Sequence, residues 1–406
     1  MISELKKLFK NKFFINFSTS SIFMFLARYM DFAIIGWKIT TLTNNPSSIG
    51  LLIFFRYLPL ATSGIISGWL TDKFSRLNII RVIIILVSVY YFLVSLYMLS
   101  GNNEIIVFYI FTFISGLLSS TDLASRQSYL SNVVNRKKLK LAIGLDIIIL
   151  NLCILTCPNI AMYMYEFVDF YIIYIFLVIF TLSNLFLIRN NPKLSILKKH
   201  KEKYKGIIKG IEFSVSNKLV FSTLLILAIA NFFAFSFESM APYVGKNILN
   251  SSPKEFSFLI SMQGLGALLG SIIFFPVIIK ISRPGLIFAF STFALCFFSF
   301  LFSFNNSYLI TCLIIFFGGV SISIFGNMHA RILISQTPNP IRGRIQGLRQ
   351  FCIGFFPVGS LLLGISGDYF GISNSIKFFS IIGFLGTISV LLFFRELRKK
   401  LNLYNE

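Results

Sequence analysis

Two arginines and an acid, Arg28, Arg56 and Asp31, stand inside apolar runs long enough to cross a bilayer, where a lone charge costs at least ~2.5 kcal/mol. Arg28 and Asp31 are three residues apart, hence on one face of a single helix, and Arg56 lies near the same depth in the next run. Such a group can hold an anion, because a guanidinium offers a carboxylate two parallel hydrogen bonds. The same three residues could instead be a buried ion pair that joins the first two helices. Glu238 could carry a proton if its helix continues past it, or mark the outer surface if the helix ends earlier. Asn151, Asn231 and Gln263 are amides that could line the same cavity or bond a neighbouring helix. Asp146 reads as a gate or topology residue, and His329 as a hydrogen-bonded histidine near a helix end. Enzymatic chemistry has little to work with: the two histidines, His200 and His329, are far apart, and Cys153 and Cys157 share a helix face with no His or acid beside them to complete a metal site.

These residues must be positioned by membrane helices. The chain of 406 residues is 56% hydrophobic and 13% charged, with a mean hydropathy of +0.80, well under the charge content of soluble domains. Its apolar residues fall in twelve blocks of about twenty, the length that crosses a ~30 Å hydrocarbon core. The net charge of +22 would suit a nucleic-acid partner, but its distribution assigns it to topology. With the N-terminus inside, 31 of the 37 Lys and Arg fall in cytoplasmic segments. That asymmetry predicts a multi-pass membrane protein with both termini cytoplasmic and no nucleic-acid partner. The charged, amphipathic N-terminus has no small-residue cleavage site before the first span, so that span is expected to serve as the insertion signal.

Six spans in residues 14–188 and six in 219–394 flank a Lys-rich polar stretch. The expected division is an N-terminal bundle over 1–189, a cytoplasmic basic linker over 190–218 with an amphipathic helix near Ile207 to Phe213, and a C-terminal bundle over 219–406. The halves look related: Ser125, Arg126 and Gln127 through Arg136 and Lys137 to Gly144 and Leu145 parallel Ala330 and Arg331 through Arg342, Gly343 and Arg344 to Gly347 and Leu348. Internal repeats of this kind are common in transporters built around a midplane site. Gly64 and Gly68, and Gly266 and Gly270, are spaced for close helix contact. Pro158 and Pro242 are expected to bend their helices.

The segment GWLTDKFSRLNIIR at 68–81, with Gly68, Asp72, Lys73 and Arg76, resembles the cytoplasmic signature of the major facilitator superfamily, with Ser75 where that pattern usually has Gly. SRPGLI at 282–287, then Gln336, Thr337 and Pro338 with Gly343, Arg344, Ile345, Gly347 and Leu348, and the Gly364 to Gly371 stretch with Asp368, resemble its drug-efflux and enterobactin-exporter branch. The glycine-rich run that the branch carries around the span 5 proline is missing, since Asn159 and Ala161 flank Pro158. The resemblance implies an all-α membrane protein of the bacterial inner membrane with the major facilitator fold, about twelve helices in two pseudo-symmetric bundles. It implies a cytoplasmic latch of Asp72, Arg76 and Asp122, the last at the end of span 4, within a gate that also contains Gly68, Lys73, Arg126, Arg342 and Arg344.

The function expected is proton-coupled secondary transport, with the proton gradient as energy source and no cofactor; no ATP-binding loop occurs in any cytoplasmic segment. Two arginines near the midplane suit an anionic cargo, and the exporter resemblance favours export of a siderophore. Multidrug efflux, and import of a siderophore or nutrient, are the alternatives. A small molecule, protons and the bilayer are the expected partners of a monomer.

Overall fold

The computed structural model describes residues 8–73, 75–134, 136–188, 207–304, 307–338 and 341–400, without side-chain detail at 60–73, 131–132, 136–137, 139–140, 207–208 and 275–280. The first half forms α1 (Lys12–Leu42), α2 (Pro46–Lys73), α3 (Arg76–Leu99), α4 (Ile105–Val133), α5 (Arg136–Tyr165) and α6 (Phe170–Leu187). After the stretch that precedes residue 207 come α7 (Ile207–Ser216) and α8 (Lys218–Ile229), a π-helical turn (Ala230–Ala234), and two short helices, α9 (Ser236–Ser239) and α10 (Ala241–Asn247). The rest is α11 (Pro253–Lys280), α12 (Pro284–Phe302), α13 (Tyr308–Ser335), α14 (Arg342–Ile353), α15 (Phe355–Phe370) and α16 (Ile372–Phe393).

Ten helical stretches among the described residues are long and apolar enough to cross a membrane. Twelve were expected, and the first two, α1 and α2, are not among the ten. α1 carries Arg28, Asp31 and Lys38 with a run of Ser and Thr that lowers its hydropathy, and α2 has described side chains only to residue 59. The surface is inverted relative to a soluble bundle. On α3 the exposed face is Val82, Ile85, Val89, Phe92 and Leu96, while the buried face includes Ser88, whose hydroxyl meets that of Thr181 on α6 at 2.8 Å. Apolar side chains at helical spacing facing outward have hydrocarbon as their solvent.

Helix boundaries follow local chemistry. Ser75 caps α3, accepting from the amide of Asn78 at 3.3 Å, so the position where the resembling signature has glycine is used as an N-cap. Ser252 and Glu255 form a reciprocal capping pair at the start of α11. Pro158 lies inside α5, whereas Pro242 does not bend a continuous helix: it opens α10, where its missing amide hydrogen costs nothing.

The chain divides into two compact units, Met1–Leu42 with Leu58–Lys201, and Thr43–Tyr57 with Glu202–Glu406. In the first, α1 packs on α4, α5 and α6, and α3 on α4 and α6. In the second, α13 packs on α11 and α12, and α16 on α12, α15 and the π turn. Its core includes Leu227, Phe288, Phe325, Met328 and Ile345. α11 and α13 approach backbone to backbone: a Cβ at Gly266 would overlap the carbonyl of Phe316, and one at Gly319 the carbonyl of Gln263. The expected close contact at Gly266 and Gly270 is therefore present, with Gly319 as its counterpart; the side-chain surroundings of Gly64 and Gly68 lie outside the described residues.

Candidate functional site

In the first unit the charges gather where α1, α4 and α5 meet. Arg28 on α1 donates through Nη2 to the carbonyl of Ser119 at 3.1 Å and to Oδ2 of Asp122 at 3.2 Å on α4. Arg126, one turn further along α4, donates from Nε to Oδ1 of Asp122 at 2.8 Å and from Nη1 to the hydroxyls of Ser20 and Ser21 at 3.0 and 3.4 Å. Asp122 is thus clamped between two guanidiniums, and both it and Arg126 are buried. Asp146 on α5 lies against Ser21, within electrostatic reach of Arg126, Asp122 and Arg28. Two cations and two anions balance the cluster. The Nη2 group of Arg126 is buried without a hydrogen-bond partner among the described residues. Phe17 and Phe25 place their rings near Arg126 and Arg28 at 5.9 and 5.6 Å.

Asp31 has its own surroundings. It is fully buried and accepts from the hydroxyls of Tyr90 at 3.0 Å, Tyr174 at 2.8 Å and Ser115 at 2.8 Å, which ties α1 to α3, α4 and α6. A narrow pocket lies beside these groups, with Met24, Arg28, Tyr90, Ser115, Ser119 and Asp122 in its wall. Arg56, also buried, lies on the part of α2 that belongs to the second unit.

The latch expected of Asp122 needs correction. α4 continues past it to Val133, so Asp122 is an interior residue, and its ion pairs go to Arg28 and Arg126 and not to Arg76. Arg76 instead donates to the carbonyl of Ser128 at 3.0 Å. Arg126 likewise belongs to the interior cluster and not to a surface gate. The side chains of Gly68, Asp72 and Lys73 lie outside the described residues.

In the second unit Glu238 falls within the continuous apolar stretch Lys218–Asn247, just after the π turn. One carboxyl oxygen accepts from the amide of Gln263 on α11, and the other is buried without a partner. Asn231 spends its amide on its own helix, donating to the carbonyl of Leu227 at 2.8 Å. Asn151 is half-buried on α5. Arg342 reaches back to the carbonyls of Ile334 and Thr337 at the end of α13, at 3.3 and 3.5 Å, and the stem of Arg344 packs where a Cβ on Gly210 of α7 would sit. Among the described residues no group of His, Cys, Asp and Glu could hold a metal ion, and all five cysteines are free and buried.

The profile of the transmembrane secretion effectors matches residues 6–402. The chain belongs to this family of major facilitator transporters. It is 22% identical over 401 residues to the staphyloferrin A transporter of Staphylococcus aureus (strain NCTC 8325 / PS 47), covering 95% of this chain and 96% of that one. Among solved structures, a bacterial homologue of the human lysosomal transporter Spinster, inward-facing and unoccupied, superposes with a TM-score of 0.72 at 12% identity, covering 96% of this chain and 99% of that one. A D-xylose-proton symporter does so at 0.69 and 13%, covering 96% and 98%. These likenesses establish the major facilitator fold, and the family and fold are those of transporters. The sequence missed the hydroxyl cage around Asp31, the π turn before Glu238, and the contact of the half-buried Arg349 with His329.

Proposed function

We propose that this transmembrane secretion effector is a secondary transporter that exports an anionic siderophore across the bacterial cytoplasmic membrane, driven by the proton gradient. Arg28 carries the reading. Its side chain is 13% exposed at the pocket wall while that of Asp122 is fully covered, so an entering anion meets the guanidinium before the acid. A siderophore grips ferric ion through anionic oxygens, and a carboxylate or catecholate is the chemistry a guanidinium fork takes. The similarity to a staphyloferrin A transporter along nearly the whole chain supports that cargo class. Glu238 is the proposed proton carrier: it lies within a membrane-spanning stretch, its second oxygen lacks a partner, and a buried acid of this kind marks ion pathways in membrane proteins.

The test compares a strain lacking the gene with its parent under iron limitation, measuring siderophore in cells and medium by mass spectrometry. Retention in the cells with a depleted medium is expected. Arg28→Gln should export at least tenfold less while remaining folded, because Arg126 still neutralises Asp122. Glu238→Gln should still bind cargo but lose the response of transport to an imposed pH gradient. Unchanged export in the deletion strain with impaired uptake of ferric siderophore would reverse the direction; no change in either would remove the cargo class.

A further inference from the structure

In the second unit, His329 on α13 and Arg349 on α14 make a contact that the reading above leaves unused. Nε of Arg349 donates to Nε2 of His329 at 2.9 Å. A guanidinium has only donors, so that ring nitrogen is the acceptor and the ring proton sits on Nδ1, donating to the carbonyl of Phe325 at 2.8 Å. His329 is buried beside Phe288 and Phe325, and this pattern of bonds makes it a neutral imidazole. Nη1 of Arg349 donates to Oε1 of Gln346 at 3.2 Å. Both partners of the guanidinium are therefore neutral. It forms no ion pair among the described residues, and Nη2 has no hydrogen-bond partner there.

The repeat makes this lack of compensation informative. Asp146 follows Gly144 and Leu145 on α5 as Arg349 follows Gly347 and Leu348 on α14. In the first unit that position is an acid near Arg126, and the charges cancel. In the second it is a cation facing a neutral histidine. A half-buried positive charge in a membrane-spanning stretch, held by two neutral side chains, leaves a charge for an anion from outside the protein to neutralise. The two neutral partners also restrict the side chain's rotation, leaving Nη2 and the remaining Nη1 hydrogen as a preformed fork.

We propose that Arg349 is a binding position for a carboxylate of the transported anion, with His329 and Gln346 as positioning residues. The inference rests on the anionic-cargo reading but is tested apart from it. Full-length protein in detergent is heated with saturating trisodium citrate and with sodium chloride of equal ionic strength. Citrate is expected to raise the unfolding midpoint of the wild type by about 2 °C or more, as a ligand that binds only the folded state does. Arg349→Gln should lose that shift, Arg349→Lys should keep part of it, and His329→Asn should bind citrate at least threefold more weakly with an unchanged midpoint in chloride. A full shift in Arg349→Gln, or none in the wild type, overturns the proposal. Should Arg349→Gln not fold, Arg349→Lys decides, an undiminished citrate affinity counting against the fork. In phosphatidylcholine nanodiscs the shift should persist when phosphatidylglycerol is added; its loss would assign the guanidinium to a lipid phosphate and overturn a substrate site. In the export assay Arg349→Gln should fall at least tenfold. Citrate binding through Arg349 without siderophore export by the wild type would sink the cargo reading and leave the subsite standing.

Discussion

Arg126 is the charge whose loss of compensation would be most costly to the first unit. It is buried, its strongest contact is the 2.8 Å bond to Asp122, and one amino group already lacks a partner. Removing one member of a buried pair leaves the other charge stranded, at about 3–5 kcal/mol. Asp122→Ala is therefore expected to lower the thermal midpoint sharply and cut the monodisperse yield on size exclusion. Ser115→Ala removes only one of the three hydroxyls on Asp31 and should cost about 1 kcal/mol. Equal effects would show that the cluster is not held by the Asp122 clamp. The sequence made these charges conspicuous but could not pair them. Spacing puts Arg28 and Asp31 on one face of α1, yet a helix face meets several neighbours, and the structure sends Arg28 to α4 and surrounds Asp31 with hydroxyls from α3, α4 and α6. Arg349 was not singled out, because it stands in a basic stretch with Arg342 and Arg344. Its counterpart in the repeat, Asp146, was the signal that could have singled it out.

At the scale of elements, the contact between α11 and α13 depends on residues without side chains. A leucine at Gly319 would drive its Cβ into the carbonyl of Gln263, whereas a Cβ at Gly326 on the same helix meets nothing within 4 Å. Gly319→Leu should reduce the folded fraction severely and Gly326→Ala hardly at all, as read by thermal unfolding of both proteins; equal tolerance would mean that the helices can part. Because the Gln263 carbonyl lies at this contact while its amide holds Glu238, the same substitution should also disturb the acid. The small-xxx-small spacing of Gly266 and Gly270 was legible, as were the spans and the amphipathic α7. The π turn was not, since no residue pattern in Ala230–Ala234 distinguishes it from ordinary helix. The end of α4 was misjudged because polar residues near Asp122 looked like a helix terminus, although they face other helices.

For the whole molecule, fold and membrane residence follow from hydropathy and length, which is why they were readable from the chain alone. The orientation proposed, with both termini in the cytoplasm, rests on the assignment from sequence of 31 of the 37 basic residues to cytoplasmic segments. Fusions at the C-terminus should accordingly give fluorescent green fluorescent protein and inactive alkaline phosphatase. The reverse pair of outcomes would invert the topology and move the basic linker outside. Cargo and coupling are not written at this scale, because the same helical frame serves transporters of many substrates; the proposed determinants are single side chains, Arg28, Glu238 and Arg349.

The π turn ahead of Glu238 has a mechanical consequence. A turn closed by bonds five residues apart holds one residue more than regular helix needs, and one residue corresponds to about 100° of rotation. The helix thus stores a spare step of winding. If the turn tightens to α geometry, the segment just beyond it swivels by that step, carrying the Glu238 carboxyl away from Gln263 toward a different face. For the proton carrier proposed at Glu238, such a swivel would be the change of surroundings that taking up a proton on one side and releasing it on the other requires.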